Sequence, residues 1–91
     1  MLTAIILINA EREKINEVAG QLADIEGISE AYSVSGQYDI IALARVASAE
    51  ELAQLVTLRL QPIHSIVKTE TLLAFKAYSR HDLESMFTVG I

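Results

Sequence analysis

One short stretch of the chain combines the residue types that can bind a charged small molecule. It joins two apolar segments and reads Ser35-Gly36-Gln37-Tyr38-Asp39. Consecutive backbone N–H groups at Gly36, Gln37 and Tyr38 favour an anion, because they can form a concave donor surface. The Asp39 carboxylate favours an ammonium group. The stretch therefore suits a zwitterionic amino acid, although Gly36 and Asp39 are also common in hairpin turns that bind nothing.

Two threonines add hydroxyl groups to this prediction. Thr69 and Thr71 lie near the start of the predicted last strand. Small hydroxyl groups complement amide donors and a carboxylate in a polar ligand site. The predicted ligand-binding residues are therefore Gly36, Gln37, Tyr38, Asp39, Thr69 and Thr71.

The rest of the chain has no catalytic or metal-binding pattern. The two histidines, His64 and His81, are seventeen residues apart on different predicted elements, which is not a metal-ligand spacing. The absence of Cys excludes disulfides, thiol catalysis and thiolate metal sites. No Ser–His–Asp grouping, phosphate-binding loop or dinucleotide-binding glycine pattern is present. We therefore predict a protein that is not an enzyme and that holds no cofactor or metal.

Hydrophobic periodicity predicts the order strand, helix, strand, strand, helix, strand. The strands are expected at residues 2–9, 28–35, 39–46 and 69–78. The first helix begins at Glu11 and ends near Gly27, and Gly20 inside it suggests close packing on the sheet. The second begins at the capping box of Ser48 and Glu51 and ends before Pro62. A short C-terminal helix is expected from Ser79 onward.

The first and third strands are apolar on both alternating sets of positions, which is typical of central strands. A right-handed crossover places them side by side, with the other two strands at the edges. The predicted fold is α+β: a ferredoxin-like βαββαβ sandwich with a four-stranded antiparallel sheet and two helices on one face. Residues 1–91 are too few for a second core, so we expect a single domain.

Two helices cover only one face of such a sheet, yet the central strands carry aliphatic side chains on both. The second face projects roughly 400 Å², a size at which an exposed apolar surface usually marks an interaction site. Hydrophobic residues make up 52% of the chain. We therefore predict burial against a second copy by two-fold self-association. The alternative is an apolar face that stays exposed on a monomer.

The charge balance excludes some partners. The net charge is −5, and the seven basic residues are dispersed along the chain. Nucleic acid and anionic membranes are therefore poor direct partners. The apolar segment at residues 2–8 lacks a basic flank and is too short to span a bilayer. We expect a cytoplasmic protein.

Two segments together resemble a known family. They are residues 34–41, VSGQYDII, at the hairpin, and residues 67–71, VKTET, which enter the last strand. With the βαββαβ order, they resemble the RAM domain, the effector-binding and oligomerisation half of the Lrp/AsnC (leucine/asparagine-responsive) transcriptional regulators. The likeness covers essentially the whole chain. Gly36, Tyr38 and Asp39 match the family's hairpin motif, Gln37 takes its variable place, and Thr69 and Thr71 match its last-strand positions.

The resemblance implies homodimers formed through the sheets, assembly into larger rings, and an amino acid effector bound where dimers meet. The family's regulators also carry an N-terminal helix-turn-helix, whereas strand one begins here at Leu2. We therefore expect a stand-alone RAM domain that acts as a transcriptional co-regulator and co-assembles with full-length Lrp/AsnC regulators.

Three other interpretations remain open from the sequence. An ACT-like regulatory domain shares the fold and amino acid binding but places its ligands elsewhere. A dimeric α/β-barrel enzyme of the monooxygenase type needs a pocket with a poised acid, base or cofactor ligand. A ligand-free scaffold needs only the assembly surface.

Overall fold

The chain builds its sheet from four strands, shown by a computed structural model that describes residues 1–80. The strands are β1 (Leu2–Ala10), β2 (Ile28–Ser33), β3 (Ile40–Val46) and β4 (Ile66–Leu73). A 3₁₀ turn (Arg12–Lys14) leads into α1 (Ile15–Ala23), and α2 (Ala49–Gln54) continues as a π-helix (Leu55–Leu60). The strand order is β2-β3-β1-β4 with every neighbouring pair antiparallel. This confirms the ferredoxin-like α+β fold with β1 and β3 at the centre.

The central strands divide their side chains between the two faces. On β1, Ile6 and Ile8 are fully buried, whereas Ile5 and Leu7 are half-exposed. Strand β3 repeats this alternation, since Ile40 is fully buried and the residue after it is not. Paired residues of antiparallel strands point to the same face. The buried set therefore lies under the helices, and the half-exposed set forms the opposite face.

This opposite face is called the open face from here on. Its apolar residues are Ile5, Leu7, Tyr32, Ile41, Leu43 and Leu72.

The helices close the core from one side only. Val18 and Leu22 of α1 are buried, as are Leu55 and Leu60 of the π-helix. The π-helical turn brings residues five apart in line, which suits the spacing of Leu55 and Leu60. The Ser48 hydroxyl accepts a hydrogen bond from the backbone N–H of Glu51 at 3.2 Å, so the predicted cap is present. None of the helices in the described part of the chain is long and apolar enough to cross a membrane.

The fourth strand differs from the prediction of residues 69–78. It begins three residues earlier, at Ile66, and ends at Leu73. The reason is the length of its partner, since β4 pairs with β1 from Ala10 back to Ala4. One further hydrogen bond joins the Ala74 N–H to the Thr3 carbonyl at 2.9 Å, beyond which β1 offers almost no backbone partner.

The second strand also differs from a regular alternation. The sequence places Ile28 and Tyr32 on one face of the strand. A register shift between Ile28 and Glu30 breaks the alternation, so Ile28 pairs with Ala44 under the helices and Tyr32 with Ile41 on the open face. Bulges of this kind re-aim the side chains that follow them.

Two predicted details of the first helix are wrong, and one element cannot be compared. Helix α1 ends at Ala23, so Gly27 shapes the turn into β2 and does not cap the helix. Gly20 has no atom within 4 Å of the position its Cβ would take, so it does not pack closely on the sheet. The expected C-terminal helix lies outside residues 1–80.

Candidate functional site at the hairpin tip

The loop between β2 and β3 is closed by the backbone of Asp39. The Val34 N–H donates to the Asp39 carbonyl at 2.9 Å, and the Asp39 N–H donates to the Ile8 carbonyl at 2.9 Å. Gly36 at the tip has a φ of 123°, a conformation that L side chains rarely adopt. The tip itself is exposed. The predicted hairpin therefore forms, with Gly36 where the backbone requires glycine.

The Asp39 side chain fastens the tip to the end of β1. Its Oδ2 atom accepts hydrogen bonds from the backbone N–H of Ala10 at 3.0 Å and from Asn9 Nδ2 at 3.4 Å. Asn9 Nδ2 also donates to the Gln37 carbonyl at 2.9 Å. Asp39 Oδ1 receives no hydrogen bond from residues 1–80. One carboxylate oxygen is thus structural, and the other is available to a ligand.

Tyr38 reaches across β1 on the side of the open face. Its hydroxyl donates to Glu70 Oε2 on β4 at 2.5 Å, and Glu70 pairs with Leu7. The hydrogen bond to the Glu70 carboxylate, followed by partial desolvation and the negative charge of Glu70, raises the pKa of Tyr38. Tyr38 and Glu70 together form a polar border at this end of the open face.

Thr69 and Thr71 point to the other side of the sheet. They pair with Ile8 and Ile6, which lie under the helices, so both hydroxyls face away from Glu70. Strand β1 separates them from the hairpin, which puts them about 10 Å away across two strand spacings. Thr69 lines a pocket of about 190 Å³ beside Val56 and Leu60. The structure therefore brings Gly36 to Asp39 together and leaves the two threonines on the opposite face.

Asn9 and Glu70 were missed by the sequence analysis. Asn9 is the one polar residue that ends the first apolar segment, and this position was a usable signal. Glu70 carries no such signal, because its contact with Tyr38 depends on the register across two strand pairs.

The hairpin tip is a surface and not a cavity within one copy of the chain. A pocket of about 460 Å³ lies at the opposite end of the sheet and touches none of the six predicted site residues. No group of three metal-ligating side chains occurs in the described part of the chain, and no polar side chain there is buried. A ligand at the tip would need a second surface to enclose it.

We expect alkaline pH to weaken the link between Tyr38 and Glu70. A raised pKa in the folded state stabilises the protein below the ordinary tyrosine pKa of about 10, and this contribution is lost as pH rises through the raised value. Glu70→Gln should therefore lower the pKa of Tyr38 in an NMR titration with ¹³C-labelled tyrosine. The matched control is Glu30→Gln, because Glu30 hydrogen-bonds Tyr32 and raises only its pKa. An unchanged Tyr38 titration in Glu70→Gln would contradict the assigned contact.

Comparison with known proteins places the chain in a family. A sequence model of the family described as the Lrp/AsnC ligand binding domain matches residues 3–83. The chain belongs to this family. An HTH-type transcriptional regulator of Pyrococcus furiosus is 36% identical to it over 76 residues, which cover 80% of this chain and 51% of the regulator. This Lrp/AsnC domain therefore spans about half the length of the curated relatives it matches.

Solved structures share the fold of this chain. TTHA0845 from Thermus thermophilus is 39% identical, with a TM-score of 0.82 over 88% of this chain and 100% of that one. The regulator NMB0573 of Neisseria meningitidis, solved as a complex with L-Met, is 14% identical with a TM-score of 0.78. It covers 87% of this chain and 53% of its own, and at that identity it shows the shared fold alone. The curated relatives are transcriptional regulators and not enzymes. This confirms the prediction that this Lrp/AsnC domain is not an enzyme.

Proposed function

We propose that this Lrp/AsnC domain is a regulatory sensor that pairs with a second copy through its open face and binds an amino acid beside the hairpin tip. The observation that carries the proposal is the open face itself. Four half-exposed aliphatic side chains, Ile5, Leu7, Ile41 and Leu43, cover its centre. The same strands bury their alternate residues completely under the helices.

The open face has the composition of a protein interface. Its apolar centre continues outward to Leu72 and Tyr32, which are 44% and 46% exposed. Polar groups surround it, with Asn9 and Glu70 at one end and Arg45 at the other. An apolar centre with a polar border is the usual anatomy of a stable association. Packing two such sheets face to face with two-fold symmetry buries both patches at once.

We expect Leu72→Glu to weaken self-association strongly. The substitution places a charge in the proposed apolar interface, where it would lose its hydration without gaining a partner. Leu73→Glu is a matched control, because Leu73 is similarly exposed at 48% but points to the helix side of the same strand. Sedimentation velocity should show a dissociation constant for self-association that is at least about tenfold higher in the Leu72 variant. The Leu73 variant should show little change in this constant. Equal effects would place the interface elsewhere.

The proposed effector site joins the hairpin tip to a neighbouring copy. Backbone N–H groups at Gly36 and Gln37 favour a carboxylate, and Asp39 Oδ1 is available for an ammonium group. The tip is open to solvent in one copy, and a second surface against it would exclude water and strengthen both contacts. The family's description as a ligand-binding domain and the L-Met complex of a protein with this fold support an amino acid as the ligand.

Calorimetric titration with the twenty amino acids tests this site. Asp39→Asn removes the charge but keeps an oxygen that can accept from the Ala10 N–H, so it separates binding from the structural role. We expect at least one amino acid to bind and Asp39→Asn to weaken it by about tenfold or more. Asp24→Asn, an exposed carboxylate after α1, serves as the control. An affinity that Asp39→Asn does not change would mean that the amino acid binds elsewhere on the domain. The absence of any binding would favour the ligand-free scaffold.

The regulatory output is proposed to pass through protein association. The net charge of −5 disfavours direct contact between this domain and DNA. We propose that the domain works in the cytoplasm by assembling with Lrp/AsnC regulators that share its open face. A pull-down with such a regulator should retain the wild-type domain and lose Leu72→Glu. If the regulator retains neither the wild-type domain nor the Leu72→Glu variant, with or without amino acids, this part of the proposal is wrong.

A further inference from the structure

We propose that the outer edge of β4 is a second docking surface, at which β4 pairs antiparallel with β4 of another copy of the chain. Among residues 1–80, β4 pairs with β1 on one side and with no strand on the other. Every residue of β4 except Ile66 is exposed, and the helices pack chiefly against β2 and β3. An edge strand of eight residues presents a row of backbone N–H and C=O groups that another strand can pair with.

The pairing with β1 determines which residues of β4 can bond outward. The Ala74 N–H donates to the Thr3 carbonyl of β1 at 2.9 Å. Backbone groups alternate between the two sides of an antiparallel strand, so residues an even number of positions before Ala74 also bond β1. The register with β1 is unbroken from Lys68 to Leu73, so this alternation holds there. Thr69 and Thr71 therefore direct their N–H and C=O groups to the outer edge.

The charges of β4 favour one register of this pairing. When Thr69 of one copy faces Thr69 of the other, Lys68 faces Glu70 on both sides of the two-fold axis. Lys68 and Glu70 lie on the same face of the sheet, since they pair with Asn9 and Leu7 of β1. The two Thr69 residues then form a hydrogen-bonded pair, and Lys68 and Glu70 form non-hydrogen-bonded pairs, in which side chains lie closer. Opposite charges at such positions stabilise a strand pair.

The two neighbouring registers bring like charges together. Moving the two-fold axis one residue towards the start of β4 puts Lys68 opposite Lys68 of the other copy. Moving it one residue the other way puts Glu70 opposite Glu70. Like charges directly opposite each other destabilise a strand pair. A single charge on an edge strand therefore opposes pairing, whereas these two opposite charges, two positions apart, make β4 complementary to itself in one register.

Both charged side chains can reach a second copy. The Lys68 ammonium makes no ion pair within 4.0 Å among residues 1–80. Glu70 Oε2 accepts the Tyr38 hydroxyl, which leaves the negative charge of the carboxylate and its other oxygen in place. Edge pairing extends the sheet in its own plane, so it does not compete with packing through the open face. The two contacts together would build an assembly larger than a dimer.

Disulfide cross-linking of the full chain tests the edge contact directly. The chain has no cysteine, so the thiol introduced by Thr69→Cys can form a disulfide only between copies. The Cα atoms of a hydrogen-bonded antiparallel pair lie about 5.5 Å apart, within the disulfide range of roughly 4.4–6.8 Å. We expect Thr69→Cys to cross-link at least about tenfold faster than Thr57→Cys, an exposed control on the π-helix, because pairing raises the effective thiol concentration. Open-face pairing alone does not bring the two thiols together, since Thr69 lies on the helix side of the sheet.

Charge reversal in the Thr69→Cys chain tests the register. Lys68→Glu and Glu70→Lys each place like charges opposite each other at two symmetric positions, so each should slow cross-linking by about fivefold or more. The double variant exchanges the two charges and should recover most of the rate. Each rate is divided by that of the same thiol with 2,2′-dithiodipyridine, a neutral small disulfide, which corrects for any change in thiol pKa.

Three results would overturn the proposal. They are cross-linking of Thr69→Cys that is no faster than that of Thr57→Cys, a corrected rate that either charge reversal leaves unchanged, and a double variant that is as slow as the single ones. Circular dichroism of each variant keeps the comparison valid. All four substituted side chains are exposed, so their replacement should leave the fold intact.

Discussion

Ile6→Ala is expected to lower the free energy of unfolding by about 2–5 kcal/mol. Ile6 is fully buried at the centre of β1, where it lies between the strand pairs with β3 and β4 and under the helices. Its truncation removes three buried carbon atoms and leaves a cavity that rigid strands on both sides cannot collapse to fill. A domain of this size has about 5–15 kcal/mol of stability in total, so the loss is a large share. Chemical denaturation followed by circular dichroism measures it directly.

The matched control for Ile6→Ala is the next residue along the strand. Leu7 is half-exposed on the open face, so Leu7→Ala should act mainly through association and not through the core of one copy. Its melting temperature should lose most of the dependence on protein concentration that an associating protein shows. Ile6→Ala should lower the melting temperature at every concentration. Similar behaviour of the two variants would mean that the faces of β1 are not divided as described.

Gly27→Ala is expected to destabilise the domain by about 2–4 kcal/mol, from backbone strain together with overpacking. Gly27 adopts a φ of 99°, which L side chains rarely tolerate. A Cβ atom would also lie 2.8 Å from Leu55 Cδ1 and 3.5 Å from Val46 Cγ1. Relief of this overlap would require the buried Leu55 to move. Urea denaturation of the variant should therefore show a clearly lower midpoint.

Gly20→Ala provides the opposite outcome in the same experiment. Gly20 is an exposed residue inside α1 with nothing within 4 Å of its Cβ position. Alanine there should stabilise the helix by up to about 1 kcal/mol, because glycine loses more backbone entropy on folding. Stabilisation by both alanines, or by neither, would contradict the different environments of the two glycines.

The fold could be predicted from the sequence because one physical signal repeats along it. Strands β1 and β3 are apolar on both faces, and this property alone places them in the centre of the sheet. The hydrophobic pattern does not predict the structure where the pairing between strands sets a different register or length. The shift after Ile28 turns Tyr32 to the open face, and the length of β1 ends β4 at Leu73. Neither event leaves a mark in local composition.

The candidate site was predictable only in part. The hairpin and its Gly36 follow from local turn chemistry, which a sequence displays directly. Three other features of the site depend on which strands lie side by side. They are the Asp39 oxygen that receives no hydrogen bond, the hydrogen bond from Asn9 to the Gln37 carbonyl, and the contact between Tyr38 and Glu70. The same register places Thr69 on the helix side of β4, away from Glu70, and this orientation could not be read from the sequence alone.

Static light scattering of the wild-type chain over a range of micromolar concentrations tests the central claim most directly. The chain has a mass of 10.0 kDa. If the open face packs against that of a second protomer, we expect a measured mass of twice this value or a larger even multiple. A mass that stays at 10.0 kDa at every concentration would mean that the open face is exposed to solvent. It would also contradict the proposed effector site between two copies.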